Sequence, residues 1–192
     1  LLGSTSEGDK KGLAATVNNL GVLYCKLDFA KSNFYYEKSL QLKKEAGDRP
    51  GVAITQANLS QNYVNMGRLD LAQQLLDSAI VTNLAIDNKN SLAICYQKKG
   101  AIESRLGHSD AAIDFFEKAK TMFEAVGDHL SVAAIENDIG QHYMTRSNYP
   151  KAMEHFLPLS KRPELPQGLQ FSVLKGLADV KGYQHFNQES LE

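Results

Sequence analysis

One spacing governs what this chain can fold into. Four small residues, Ser32, Ala72, Ala112 and Ala152, stand at intervals of 40. Four positions after each comes a large side chain: Tyr36, Leu76, Phe116 and Phe156. About twelve positions before each sits another small residue: Gly21, Ser60, Gly100 and Gly140. Turn dipeptides keep the same interval at Gly47-Asp48, Asp87-Asn88 and Gly127-Asp128. Gly8-Asp9 extends the series backwards one residue short, because Lys26-Leu27-Asp28-Phe29 lacks a residue present in Asn65-Met66-Gly67-Arg68-Leu69. A period of this size marks stacked units, none of which can bury its apolar face alone.

Each unit reads as two helices. In the third, Leu92, Ala93, Tyr96, Gly100 and Leu106 mark the first helix. Ala111, Ala112, Phe115, Phe116, Ala119 and Phe123 mark the second. Both sets follow the three- and four-residue spacing of an amphipathic helix. Gly107 and Gly127-Asp128 are the stop signals. No proline falls between Pro50 and Pro150, which suits uninterrupted helices. The spacing predicts helices over 12–26, 29–46, 50–66, 69–86, 90–106, 109–126, 130–146, 149–157 and 168–182. The small residue of each first helix lets its second helix approach, the alanine serves the same crossing from the other side, and the aromatic fills the gap to the next hairpin. Ala112 and Gly100 are expected at one such crossing.

The expected organisation is four repeats over 12–160 (12–48, 49–88, 89–128 and 129–160), with residues 1–11 as the tail of a preceding repeat. Pro158 is expected to end its helix early, and Pro163 and Pro166 make 161–166 a break. Residues 167–192 read as a partial fifth repeat, with Phe171, Leu174, Leu177 and Val180 on one side and Phe186 starting a partner helix. On this reading the chain is an excerpt from a longer array, open to self-association through its ends.

Leu20-Gly21-x-x-Tyr24, Leu59-Ser60-x-x-Tyr63 and Ile139-Gly140-x-x-Tyr143 resemble the first-helix pattern of tetratricopeptide repeats. Ala72-x3-Leu76, Ala112-x3-Phe116 and Ala152-x3-Phe156 resemble its second half. The long period is similar to that of kinesin light chain, Pins-type scaffolds and Rap-type regulators. Glu103 replaces the usual Tyr, Ser32 replaces the Ala, and no Trp occurs. The resemblance implies an all-α fold, an α-solenoid in which antiparallel hairpins form a right-handed superhelix. It also implies a concave face lined by first helices, where Asn18, Val22, Lys26, Gln61, Asn65, Gln97, Arg105, Asn137, Gln141 and Thr145 are the candidate peptide-binding residues. Rows of amides can hold an extended backbone or merely keep an open groove solvated. Of five positions matching the family's carboxylate clamp (Asn18, Val22, Asn58, Ile94 and Lys98), only Asn58 and Lys98 carry the clamp residues.

Composition and chemistry narrow the function. Lys plus Arg is 21 against 22 Asp plus Glu, a net charge of −1, so there is no global pull toward nucleic acid or acidic membranes. No apolar run approaches the ~20 residues of a membrane span. Cys25 and Cys95 lie in different, non-adjacent units and are expected to be free thiols, consistent with a cytoplasmic, reducing setting. The five histidines fit no metal-ligand spacing, and no nucleophile, base and stabiliser can be assembled. No enzyme activity, cofactor or metal is expected. Two readings remain: a scaffold that binds a protein or peptide segment on its concave face, or the sensory region of a larger bacterial signalling protein, a kinase or transcription regulator. A Rap-like phosphatase is a weaker third reading, since that family also needs an N-terminal helical bundle.

Overall fold

The computed structural model describes residues 7–189, with side chains over 8–183. The described residues form α-helices joined by short turns and contain no strand. In chain order these are α1 (Glu7–Tyr24), α2 (Phe29–Glu45), α3 (Arg49–Asn65), α4 (Leu69–Ala85), α5 (Lys89–Leu106), α6 (Ser109–Ala125), α7 (His129–Thr145), α8 (Tyr149–Ser160) and α9 (Gln167–Glu189). The all-α class and paired helices follow the sequence expectation, and α2 to α7 begin and end within one residue of it.

The turns explain this agreement. Gly47, Gly67, Asp87, Gly107, Gly127 and Ser147 all have positive φ, at every twentieth position. The residue after each donates its N–H to a carbonyl five residues back: Asp48 to Lys43, Arg68 to Tyr63, Asn88 to Asn83, His108 to Glu103, Asp128 to Phe123 and Asn148 to Tyr143, at 2.8–3.0 Å. This left-handed closure satisfies the last carbonyls of one helix. The same following residue then starts the next helix. Asp48, Asn88, Asp128 and Asn148 accept from the backbone N–H three positions on, as Asp28 does. The shorter α1–α2 turn has no such residue and closes with Asp28 N–H on Tyr24 O at 2.8 Å.

The chain forms two compact units, residues 1–102 and 103–192, with the boundary inside α5. In the first unit α1 packs on α2, α2 on α3 and α3 on α4. Its core includes Ala53, Ala57, Val64, Ala72, Leu76, Ala79, Cys95 and Ile102. Gly21 lies under the Tyr36 ring, where a Cβ would meet ring carbons at 2.6 Å. Ser32, in the alanine column, donates to Gly21 O at 2.7 Å, and Ser39 donates to Ala14 O at 2.8 Å. The serine that departs from the repeat pattern is therefore satisfied by the helix it packs against.

In the second unit α6 packs on α7, α7 on α8, and α9 on both α7 and α8. Ala133, Ala152, Phe156, Leu159, Leu165, Val173, Leu177 and Val180 form its core. Phe156 is held between two glycines: a Cβ on Gly140 would lie 2.5 Å from its ring, and one on Gly176 2.6 Å. The aromatic thus fills the space within its own hairpin and the space to the next.

Several boundaries differ from expectation. α1 begins at Glu7 rather than at 12, so residues 7–11, read above within the tail of a preceding repeat, belong to the first described helix; residues 1–6 lie outside the described residues. α8 runs through Pro158 to Ser160, three residues past the expected 157, and still ends early, at 12 residues against 17 in α7. Leu159, in its last turn, is buried. α9 continues through Gly182 to Glu189, so Phe186 lies within it and starts no partner helix. Val173 and Val180 follow Ala133 and Gly140 by 40, and all four are buried, as are Gly176 and Leu177. Phe171 and Leu174 face outward, 71% and 56% exposed.

Three substitutions test this account. Gly140→Ala drives a methyl into the Phe156 ring and should destabilise the protein by about 1–3 kcal/mol, whereas Gly12→Ala, which meets nothing within 4 Å, should stabilise α1 by about 1 kcal/mol. Ser147→Gly removes a left-handed serine and should add about 1 kcal/mol. Thermal and urea unfolding measure all three.

Candidate functional site

The candidate residues fall on the first helices and the turns that end them. In the first unit Val22, Lys26 and Asn65 are exposed, with Lys26 in the α1–α2 turn. Asn18 is half-buried and accepts from Thr55 Oγ1 at 3.2 Å, while Lys43 donates to the same Thr55 oxygen at 2.7 Å. Burial holds the Lys43 pKa below its ordinary value. Gln61, also half-buried, accepts from Lys98 Nζ at 3.1 Å and donates to Asn65 Oδ1 at 3.3 Å. Gln97 is half-buried.

Between α3 and α5 the first unit contains a cleft of about 80 Å³ lined by Ala53, Ile54, Ala57, Asn58, Ser91, Ile94 and Cys95. Ile54 and Ile94 remain 44% and 42% exposed. Cys95 is buried, its Sγ accepting from Asn83 Nδ2 at 3.6 Å, and burial pushes its thiol pKa up to about 11. A thiol so poised stays protonated at neutral pH and is a poor nucleophile. Both cysteines are free thiols.

In the second unit Arg105 and Thr145 are exposed and Gln141 is half-buried. Thr145 Oγ1 donates to His142 O at 2.7 Å. Asn137 departs from expectation. It is only 7% exposed and accepts from Ser172 Oγ of α9 at 3.1 Å, so it joins helices rather than facing an open groove.

Two polar clusters in this unit were not singled out by sequence pattern. His142 is 2% exposed, with Nδ1 2.7 Å from Ser104 Oγ and Nε2 2.8 Å from Ser109 Oγ. Arg146, one turn on, donates to Ser104 O at 2.9 Å. Together they fasten the α5–α6 turn to α7. Burial first, and the Arg146 charge second, hold the His142 pKa below its ordinary 6.5. Glu136 binds His155 at 2.6 Å and Lys120 at 2.7 Å. The hydrogen bond from His155 is the largest cause of a Glu136 pKa of about 2. Nothing in the repeat columns flags these pairs, since their partners are brought together only by packing. Among the described residues no group of three or more His, Cys, Asp or Glu could hold a metal ion, and no helix is long and apolar enough to cross a membrane.

These pKa shifts predict two separate acid windows. Neutral His142 resists protonation in the fold but not in the unfolded chain, so its contribution is whole above pH 6.5 and falls as pH drops below it. Glu136 contributes fully above about 4.5 and loses that contribution as pH falls toward 2. Unfolding free energies from pH 8 to 3 should show both declines. His142→Gln should flatten the first and Glu136→Gln the second.

Residues 51–125 match the family model of the tetratricopeptide repeat. No curated protein matches the chain in sequence. Among solved structures, BtubC (BKLC) from P. vanneervenii aligns with a TM-score of 0.71 at 19% identity, over 90% of this chain and 76% of that one. The nearly identical TPR-like repeats of a putative kinesin light chain from Podosopora anserina align at 0.70 and 13% identity, over 94% of this chain and 91% of that one. RapI in its apo form aligns at 0.70 and 12% identity, over 94% of this chain but only 55% of RapI. Identities this low speak for the fold alone, and the family match makes residues 51–125 similar to tetratricopeptide repeats.

Proposed function

We propose that this chain is a protein-interaction scaffold that binds a segment of another protein on its first-helix face. The observation that carries this reading is the cleft between α3 and α5. Two isoleucines stay more than two-fifths exposed around it, where a core would have covered them. Exposed Val22, Lys26 and Asn65, and half-buried Gln61 and Gln97, lie on the same set of helices and their turns. Amides and lysines beside an apolar dimple suit an extended backbone that inserts one side chain. In the second unit Arg105, Gln141 and Thr145 are the candidate residues on first helices. The polar clusters at His142 and Glu136 are engaged in holding helices together, and they support no reaction.

A second reading follows from the RapI alignment. This chain corresponds to about half of that protein's length, as it would if it were the sensory region of a larger regulator. Both readings place the ligand on the first helices and differ in what the binding event controls.

The test is selection of dodecapeptides from a random display library, followed by mapping of the bound peptides through backbone amide shifts. Shifts should concentrate at Val22, Asn65 and Gln97 for peptides bound to the first unit and at Gln141 for those bound to the second, and the double variant Arg105→Glu with Gln141→Ala should weaken the latter by about tenfold. Binding that maps to the second helices, and is unchanged in the variant, would overturn the reading.

A further inference from the structure

The series of hydrogen bonds that fastens α1, α2 and α3 ends at a sulfur. Ser32 Oγ donates to Gly21 O at 2.7 Å, and Asn62 Nδ2 donates to Ser32 Oγ at 2.7 Å and to Asn33 Oδ1 at 2.8 Å. Asn33 Nδ2 donates in turn to Met66 Sδ at 3.6 Å. Ser32 and Asn62 are buried, at 0% and 1% exposure, whereas Met66, at the C-terminal end of α3, is 45% exposed. The series thus runs from the backbone of α1 to a partly exposed thioether. Met66, Leu106 and Arg146 stand at intervals of 40, each at the end of a first helix. Arg146 reaches back to Ser104 O at 2.9 Å, as Met66 reaches back to Asn33. From this position the end of a first helix fastens itself to the hairpin before it.

The sulfur is the weakest acceptor of that series, because a thioether carries little charge. It is also the member open to chemistry. Of the four methionines, Met122, Met144 and Met153 are half-buried, and the last two pack against the core of the second unit. Met66 is therefore the methionine that a dissolved oxidant meets first. The hydrogen bond from Asn33 engages one lone pair of its sulfur and leaves the other for reaction.

We propose that Met66 is a site of reversible oxidation by peroxide, and that its sulfoxide tightens the joint between α2 and α3. The free lone pair of the sulfur attacks one oxygen of hydrogen peroxide. The O–O bond breaks, an S–O bond forms, and the second oxygen leaves as water. Sulfur gives up two electrons and peroxide takes them. Turning about Cγ–Sδ, which an unbranched side chain does readily, brings the new oxygen to Asn33 Nδ2. A sulfoxide oxygen is a far stronger acceptor than a thioether, so the weakest link of the series becomes a strong one. The Asn33 amide then strengthens the bond it accepts from Asn62. The added oxygen costs little desolvation at a residue already 45% exposed. Methionine oxidation inside a core disrupts packing; at this joint the sign is the opposite. A sulfoxide reductase reverses the step with a dithiol, which becomes a disulfide as the oxygen leaves as water.

Dilute hydrogen peroxide followed by peptide mapping tests the site. Met66 should be oxidised about fivefold faster than Met122, Met144 or Met153. The singly oxidised chain, isolated by chromatography, tests the coupling. Its Tm should lie about 2–4 °C above that of the reduced chain, and sulfoxide reductase with dithiothreitol should return it to the starting value. Met66→Leu should abolish both the oxidation and the rise. Asn33→Ala should keep the oxidation and lose the rise. Asn33→Asp, which retains an acceptor for Asn62 and removes the donor to the sulfur, is the second variant and should lose it as well. Far-ultraviolet circular dichroism checks that each variant keeps its helicity. Faster oxidation of any other methionine would overturn the assignment of the site. An unchanged or lower Tm in the singly oxidised chain, or a rise that persists in both Asn33 variants, would overturn the coupling.

Discussion

The left-handed residue at the end of each helix is the constraint on which the rest depends. It recurs at every twentieth position from Gly47 to Ser147, and each time the next N–H closes on a carbonyl five residues back. Stopping one helix and capping the next within three residues leaves helices of 17 residues for α2, α3, α4, α6 and α7. Because turn plus helix always sums to the same length, equivalent residues fall on equivalent faces, and the small and large columns meet in each hairpin. The turn after α8 is longer, over 161–166, yet Val173 and Val180 of α9 still follow Ala133 and Gly140 by 40 and are buried.

Packing then places size against absence of size. Tyr36 lies on Gly21, and Phe156 lies on both Gly140 and Gly176, with ring carbons where a Cβ would stand. Close approach of backbones exposes carbonyls to the partner helix, and buried serines make use of them: Ser32 reaches Gly21 O and Ser39 reaches Ala14 O. Asn62 continues that network by donating to Ser32 Oγ at 2.7 Å and Asn33 Oδ1 at 2.8 Å. The column Lys43, Asn83, Phe123 shows how the same position grades from polar to apolar. Lys43 meets Thr55, Asn83 meets Cys95, and Phe123 is buried in the second unit. A repeated backbone with unlike interfaces lets each joint differ in stability and in its response to acid.

The same division separates structural from candidate binding groups. Asn18, Asn137 and Gln61 were equivalent members of one amide row in sequence. In the structure Asn18 pairs with Thr55, Asn137 is buried against Ser172, and Gln61 accepts from Lys98 beside an open apolar cleft. Of the three, Gln61 is the one beside that cleft, which is flanked by Ile54 and Ile94 and by helices without a carboxylate, on α3 or on α5 up to Ile102.

The sequence by itself determined the all-α class, the pairing of helices, their boundaries within one residue across α2 to α7, and the 40-residue repeat. These are local or periodic properties. Helix stop signals, capping residues and three- and four-residue spacing act within a few positions of themselves, and repetition multiplies the signal. Tertiary structure decided what depends on residues far apart in the chain. Nothing near His142 in sequence says that Ser104 and Ser109 meet both its nitrogens, and nothing near Glu136 announces Lys120 and His155. Nothing near Gly176 in sequence says that it sits against Phe156. The cleft exists because α3 and α5, about forty residues apart, leave a gap above Cys95. A gap between side chains has no sequence pattern of its own, since it is set by how two helices cross.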